Sequence, residues 1–420
     1  MRTYRDLFRA PEYTPLFASF TVQGSAQTVS GLALGTLVYD ATRSPLLSAL
    51  SMFGGSFAQM AGALTLLSAA DRLPPRTALA CMALLFGAGT AVLAVPGLPL
   101  AALFAIVLGL GLVASLGSGV RYGLLSEILP EEGYLLGRSV LNMAVGTTQI
   151  CGFAVGGVLV VALSPRGTLL AGAALYLLTA VVAVTGLSRR PPRAAGRPSP
   201  AETWRTNVRL LSSAPRRCVY LAMWVPNGLI VGCEALFVAY SPHHAGLLLA
   251  VGAVGMLVGD TVTGRFVPPR LRERLGPPLR LLLAAPYLLF AVDPPLPLGA
   301  AAVLLASVGY AATLLLQERL MALTPVSLHG HALGLHASGM LTMQGVGAAL
   351  AGGVAQATSP TAAMAIMAAA SVAVTLALAP GLRPLPALRP ANESRRARTA
   401  RDLHTIRTRR TPPARRRGVQ

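Results

Sequence analysis

The sequence predicts an all-α polytopic membrane protein, with twelve transmembrane helices in two six-helix, pseudo-symmetric halves. Of the 420 residues, 54% are hydrophobic and only 12% are charged, which is typical of membrane helices and not of soluble domains. Apolar runs long enough to cross a bilayer recur along most of the chain. Several short motifs of the first half also recur in the second half, as in transporters built from repeats.

Twelve apolar stretches lie between charged or proline-rich breaks. In the first half the predicted spans are 13–39, 46–70, 77–95, 98–125, 137–163 and 167–187. In the second half they are 218–240, 245–264, 279–292, 298–316, 332–357 and 361–378. The ninth stretch is short and contains Pro286, a residue that interrupts helices.

Charge distribution predicts the orientation. All 35 basic residues are arginines, and placing both termini in the cytoplasm leaves only Arg43 and Arg166 in external loops, as the positive-inside rule requires. The expected location is therefore the cell (plasma) membrane, with the lipid bilayer as partner. The predicted organisation is a cytoplasmic N-terminus (1–12), an N-terminal bundle (13–187), a cytoplasmic linker (188–217), a C-terminal bundle (218–380) and a disordered basic tail (381–420).

Composition and motifs argue against several other functions. The net charge of +20 does not indicate nucleic-acid binding, because the arginines lie between apolar spans and in the tail. The four cysteines show no C-x-x-C spacing, so neither a disulfide framework nor a metal site is predicted. The sequence contains no metalloprotease, nucleophile-elbow or phosphate-loop motif, which disfavours a membrane enzyme and ATP-driven transport. No cofactor is expected beyond a proton gradient.

Glycines in the segment 142–165 predict a helix-packing seam or a hinge. Small residues let two membrane helices approach closely, although each glycine costs a soluble helix about 1 kcal/mol. The glycines concerned are Gly146, Gly152, Gly156 and Gly157. Gln149, Gly156-Gly157 and Ser164-Pro165 recur as Gln344, Gly352-Gly353 and Ser359-Pro360. We therefore expect Gly352 and Gly353 to play the same part in the second half.

Two carboxylates inside predicted spans are candidates for proton coupling, because an ionisable group in a membrane is costly and usually functional. Glu234 lies in the outer half of the seventh span, and Asp260 lies in the inner part of the eighth. For Asp260 an alternative is an ion pair, with Arg265 or another cytoplasmic-side arginine, that locks an inner gate. Glu234 has the stronger case, since Asn227 lies on the same helical face, seven residues away.

Amides and one aromatic residue are candidates for substrate binding. Gln23 and Gln27 share a face of the first span, and Asn142 and Gln149 share a face of the fifth. Such amides either bridge helices or line a cavity. Asn227, Gln344 and Trp224 complete the predicted set, although Trp224 could instead have a packing role.

Charged residues near the inner ends of the spans are candidates for gating. Asp71 and Arg72 follow the second span, Arg121 lies near the end of the fourth, and Arg265 follows the eighth. Charge contacts that form in one conformation and break in another are a common switching device.

These motifs resemble the major facilitator superfamily, and more narrowly its macrolide-efflux-like, drug:proton antiporter branch. Asp71-Arg72 is similar to the loop signature G-x-x-x-D-R-x-G-R-R, with Leu67 and Pro74 in place of its glycines. The segment 152–157 is similar to the exporter motif G-P-x-x-G-G, with Phe153 in place of the proline. The connection between Arg121 and Asn142 resembles that of the macrolide-efflux-like branch. The resemblance implies the major facilitator fold, a monomer, and a central cavity lined partly by the first and fifth helices.

The function predicted from these features is secondary active transport by alternating access. More narrowly, we expect proton-driven efflux of a small amphipathic or lipophilic compound, either a drug or a secreted metabolite. Export of a drug would give antibiotic resistance. The alternative is an importer of a small organic solute, and a polytopic membrane enzyme is a further, weaker alternative. A densely polar or charged cavity would favour the importer.

Overall fold

The computed structural model describes residues 4–65, 74–192, 200–325 and 328–382, and every regular element in these ranges is helical. In the first half the helices are α1 (Tyr4–Phe8), α2 (Tyr13–Thr42), α3 (Pro45–Phe53), α4 (Gly55–Thr65), α5 (Pro75–Leu93), α6 (Leu100–Ile128) and α7 (Glu131–Gly186). In the linker and second half they are α8 (Pro200–Ser212), α9 (Ala214–Ala235), α10 (Phe237–Tyr240), α11 (Ala245–Thr261), α12 (Pro269–Leu282), α13 (Leu296–Val308), α14 (Ala312–Ala322), α15 (His329–Ala357) and α16 (Pro360–Leu378). Asp71 and Arg72, predicted to form part of a gate, lie outside the described residues.

The helical fold class is confirmed, and the protein is a multi-pass membrane protein. Within the described ranges, 8 helical segments are long and apolar enough to cross a membrane. Large apolar side chains on their outer surfaces are exposed, including Val158 (68%) and Val161 (65%) on α7, as expected for helices that face lipid tails. The total of twelve spans stays a prediction. The described residues up to Ala379 belong to one compact unit, which contains both halves.

A repeated Ser-Pro pair begins a helix in each half. Ser164 interrupts α7 with a φ of 70° and a ψ of 164°, and Pro165 opens the next helical stretch. The hydroxyl of Ser164 accepts a hydrogen bond from the amide of Gly167 at 3.4 Å. The hydroxyl of Ser359 likewise accepts one from the amide of Ala362, at 3.1 Å, immediately before α16. Both pairs combine a serine cap with a proline at the first helical position, where its missing N–H costs nothing.

The predicted ninth span has a composite structure. The helix α12 ends at Leu282, and a 3₁₀ stretch from Ala285 to Val292 completes the apolar segment. Pro286 lies in the first turn of that stretch, where its missing N–H removes no hydrogen bond of the turn. Tyr287 and Phe290, both fully buried, stack on each other with ring centroids 5.8 Å apart and anchor the segment in the second-half core.

Two seams join the halves at one end of the molecule, the end that the arginine distribution predicts to be external. At the first seam, a Cβ added to Gly246 of α11 would lie 2.6 Å from the Cα of Gly157 of α7. At the second seam, a Cβ added to Gly352 of α15 would lie 2.7 Å from the Cα of Leu46 of α3. Both distances are too short for a side chain, so the backbones touch directly. We call this the closed end.

Hydrogen bonds accompany the backbone contacts at the closed end. The hydroxyl of Ser44, the residue that caps α3, donates to the side-chain oxygen of Gln356 in α15 at 2.8 Å. The phenol of Tyr39 donates to the carbonyl oxygen of Ala239 at 3.4 Å. Each bond joins a first-half residue to a second-half residue, so polar contacts reinforce the seams.

The other predicted seam glycines have different surroundings. Gly152 and Gly156 face Thr28 and Val29 of α2, within the first half. Gly146 lies near Leu257 of α11, at the distance of ordinary van der Waals contact from an added Cβ. A Cβ on Gly353 would meet no heavy atom within 4 Å. Close approach between the halves therefore involves Gly157 and Gly352 among the six predicted glycines.

We predict that Gly246→Val opens the closed end. The two added methyl groups have no room against Gly157, so the halves must separate there. The measurement is labelling of a single introduced cysteine, Gln59→Cys, by a membrane-impermeant maleimide added outside cells, in a chain whose native cysteines are replaced. Labelling should rise in the Gly246→Val background and stay unchanged with Gly353→Val, which adds the same side chain in open space. Equal labelling in both backgrounds would contradict the assignment of this seam.

Candidate substrate cavity and coupling site

A cavity of about 250 Å³ lies among the helices of the first half. It is enclosed by five elements of the compact unit: α2, the α3–α4 segment, α5, α6 and the second part of α7. Its polar lining consists of Gln23, Gln27, Ser30, Ser56, Gln59, Thr90, Arg121 and Tyr176. The remaining lining is apolar, with Leu34, Met52, Phe86, Leu93, Val107, Leu110 and Leu169 among its members. The cavity thus has a polar and an apolar component, as small-molecule sites usually do.

Arg121 supplies the positive charge of this cavity. Its guanidinium donates a hydrogen bond to the side-chain oxygen of Gln23 at 2.5 Å. The guanidinium carbon also lies 5.2 Å from the ring centroid of Phe20, a cation–π contact. Within the described ranges no carboxylate forms an ion pair with Arg121. The sequence predicted a gating charge here, whereas the structure places this residue in the cavity wall.

The predicted substrate-binding residues fall into two groups. Gln23 and Gln27 line the cavity, on the face of α2 that the sequence pattern predicted. Gln149 and Gln344 are partly buried elsewhere, and the side chain of Asn142 is outside the described part. Asn227 is 3% exposed in the second half, packed inside the bundle and away from the cavity.

Trp224 has a packing role in this structure. Its indole N–H donates to the carbonyl oxygen of His336 at 3.1 Å, and its ring lies 4.9 Å from that of Tyr220. Gly339 of α15 leaves the space that the indole fills. These contacts fix α9 against α15 and hold the second half together.

The cavity is also lined by polar residues that the sequence pattern did not indicate, among them Ser56, Gln59, Thr90 and Tyr176. Gln59 is the one amide in the predicted second span, a signal that could have identified it. Thr90 and Tyr176 lie on α5 and α7, and their hydroxyls face the cavity only because five helices converge there. Tyr176 is positioned by Phe86, whose ring stacks on it at 5.4 Å.

Glu234 lies in the second half, on α9. Its carboxylate accepts a hydrogen bond from the phenol of Tyr310 at 3.1 Å. Glu234 itself is half-buried, whereas the flanking residues Cys233 and Ala235 are fully or almost fully buried. No arginine forms an ion pair with Glu234 among the residues that the structure describes. In these surroundings the neutral carboxyl is far less costly than the carboxylate.

Asp260 and Arg265 are both exposed near the inner end of the eighth predicted span. In the described part of the chain Asp260 forms no ion pair with Arg265, so the predicted lock is not formed in this conformation. Arg265 lies in a π-helical turn, Val262–Phe266, that ends the span. Nearby, Arg272 pairs instead with Glu318 at 2.6 Å, within the second half.

These sites can bind a small molecule and can load a proton, and they lie in different halves. The cavity offers amides, hydroxyls and a guanidinium to a ligand, together with an apolar wall. The Glu234–Tyr310 pair offers a carboxyl that can change its protonation state. Among the described residues there is no cluster of three potential metal ligands.

The sequence profile of the Major Facilitator Superfamily matches residues 16–313 of the chain. The chain belongs to this family. No curated protein sequence is significantly similar to it.

Solved structures of family transporters share the fold. A POT family transporter in complex with 5-aminolevulinic acid has a TM-score of 0.70 at 12% identity, covering 89% of this chain and 96% of that one. An inward-facing, unoccupied bacterial homologue of the human lysosomal transporter Spinster has a TM-score of 0.67 at 14% identity, covering 91% and 96%. The nucleoside transporter NupG has a TM-score of 0.68 at 13% identity, covering 88% and 99%. At these identities the likeness shows the fold.

We predict that Gln59→Ala weakens transport of a substrate that occupies the cavity. Loss of one hydrogen bond of about 0.5–1.5 kcal/mol corresponds to a KM about two- to tenfold higher. The matched variant is Gln344→Ala. The sequence predicted that Gln344 binds substrate, but this residue does not line the cavity. The KM for a transported compound, measured in proteoliposomes, should rise only for Gln59→Ala. A rise for Gln344→Ala alone would place the binding site elsewhere.

Proposed function

We propose that this family member is a proton-driven exporter of small amphipathic compounds, a drug or a secreted metabolite, that works by alternating access. The substrate occupies the first-half cavity, and Glu234 carries the coupling proton. The protein resides in the cell membrane with both termini in the cytoplasm, acts as a monomer, and takes its energy from the proton gradient without a bound cofactor.

The observation that carries this proposal is the isolation of Glu234. Glu234 is a half-buried carboxylate with no arginine partner among the described residues. Such a group is costly in a membrane domain, and residues of this kind usually mark proton or ion pathways. The hydrogen bond from Tyr310 links α9 to the segment that begins α14, so a change of charge at Glu234 acts on the packing between two helices. The neutral carboxyl of Glu234 would favour a conformation in which it is buried, and the charged carboxylate would favour one in which it is hydrated.

The seams supply the mechanical part of the proposal. Two pseudo-symmetric contacts, α7 with α11 and α3 with α15, close the same end of the molecule. Rocking of one half against the other about a fixed site is the usual form of alternating access in repeat-built transporters. Separation at Gly157 and Gly352 would open the predicted external end and release the substrate outward.

Uptake of a small organic solute is the second candidate. The observation that favours it is the polar part of the cavity, where three glutamines and Arg121 could hydrogen-bond a hydrophilic compound. Glu234 would then couple inward transport to proton entry. The two candidates differ in the direction of net substrate movement, which the following experiment measures.

We predict that Glu234→Gln abolishes energy-dependent transport. The amide has nearly the same shape but cannot exchange a proton, so the gradient can no longer drive the cycle. The measurement is accumulation of a broad panel of fluorescent dyes and drugs in expressing cells, with and without an uncoupler. Cells with the wild-type protein should hold less of at least one compound, the uncoupler should remove the difference, and Glu234→Gln should behave as if uncoupled.

The matched control is Glu318→Gln. This carboxylate is 57% exposed and pairs with Arg272 at the surface, so its neutralisation should leave transport unchanged. Uncoupler-sensitive export that persists in Glu234→Gln would remove this residue from the coupling path. Higher accumulation in wild-type cells would favour the importer.

A further inference from the structure

We infer that the substrate carries an anionic head group, a carboxylate or a similar small oxyanion, which binds Arg121 in the first-half cavity. This inference rests on the proposed transport function and names the chemical class of the substrate. Its basis is the position of an arginine without a carboxylate partner, in the described part of the chain, on the wall of a cavity of about 250 Å³.

The charge of the cavity favours an anion. Arg121 is the one charged residue of the described lining, so the cavity carries a net positive charge. A guanidinium has five N–H donors in a planar fork, and the side-chain oxygen of Gln23 accepts from one of them. A neutral amide oxygen cannot balance the charge of a guanidinium inside a membrane domain. A ligand oxyanion would balance it and would accept the remaining N–H groups in a bidentate arrangement.

Neighbouring polar groups fit the same ligand. Gln27 and Gln59 line the same cavity as the Arg121–Gln23 pair and can donate amide N–H bonds to a second oxygen atom of the ligand. The hydroxyl of Thr90, which also lines the cavity, is a further donor. These are neutral donors, so they add hydrogen bonds without adding a competing charge.

The remaining walls define the body of the ligand. Phe86, Leu110 and Leu169 present apolar surface to the same space. The cavity volume of about 250 Å³ is below the roughly 300–1,000 Å³ range of drug-sized sites, so the ligand is small. A short aliphatic or single-ring acid satisfies both the apolar walls and the guanidinium.

The test is equilibrium stabilisation of the purified full-length protein in lipid-free detergent at neutral pH. The probes are benzoate, hexanoate and 4-phenylbutyrate, each paired with its primary amide of nearly identical shape. The acids should raise the Tm and the amides should not. In Arg121→Gln the concentration of acid needed for half of the shift should rise at least about tenfold, because a charge-assisted hydrogen-bond pair is lost.

Two further variants guard against a purely structural effect. Arg138→Gln removes a nearby arginine that lies over the Tyr122 ring, 5.1 Å from its centroid, and is not part of the cavity lining. The response to acids should be unchanged in this variant. Arg121→Lys retains the charge without the planar fork and should restore part of the response. Equal stabilisation by acids and amides, or an acid response that survives in Arg121→Gln, would overturn the inference.

An anionic lipid head group is another source of the same chemistry. The melting experiment is therefore repeated with added phosphatidylglycerol and with phosphatidylcholine. Stabilisation by phosphatidylglycerol that requires Arg121, with no response to any of the small acids, would assign the site to lipid and overturn the substrate class. Because binding is measured without a gradient, the result is independent of the transport assay. Export of cationic dyes with no acid binding would overturn this inference alone.

Discussion

Direct backbone contact between the halves is the constraint on which the rest of the structure depends. A Cβ on Gly246 would lie 2.6 Å from the Cα of Gly157, too close for a side chain, and Gly352 approaches Leu46 in the same way. Between membrane helices, where lipid tails are as apolar as leucine, such close packing is a main source of attraction. It is also easily reversed, because no buried charge has to be exposed when two glycine surfaces separate. The seams can therefore hold one conformation and still permit another.

The charged residues of the cavity and of the candidate coupling site depend on that closure. Arg121 in the first half and Glu234 in the second each have an uncharged hydrogen-bond partner, Gln23 and Tyr310. A charge with a neutral partner is poorly compensated inside a membrane domain. An anionic substrate at Arg121 and a proton on Glu234 would each lower the free-energy cost of the uncompensated charge. Because both sites belong to one compact unit, relief at either site can shift the balance between conformations of the seams.

Local sequence chemistry predicted the elements that depend on neighbouring residues. The Ser-Pro breaks were identifiable because serine caps and proline geometry act within one turn, and Ser164 and Ser359 both cap a helix. The helical fold class followed from composition and is confirmed by the family to which the chain belongs. The ninth segment was less predictable, since hydropathy cannot distinguish a continuous helix from α12 followed by a 3₁₀ stretch.

Features that arise from contacts between distant segments could not be predicted. Glycines indicated a packing seam, but their partners Gly246 and Leu46 lie far away in the sequence. Asn227 was selected because it shares a face with Glu234, yet that face packs inside the second half. Arg121 was predicted as a gate because of its position near a helix end, while the cavity beside it exists only through the convergence of five elements.

The central claim is that protonation of Glu234 controls the closed end. The most direct test is the distance between spin labels at Arg166 and Asp293, both exposed at that end, one in each half, by pulsed electron resonance in nanodiscs. Wild type should show a short distance at low pH and an added longer distance at high pH, when the charged carboxylate disfavours the closed packing. Glu234→Gln should keep the short distance throughout. A pH response that is the same in Glu234→Gln would contradict the account.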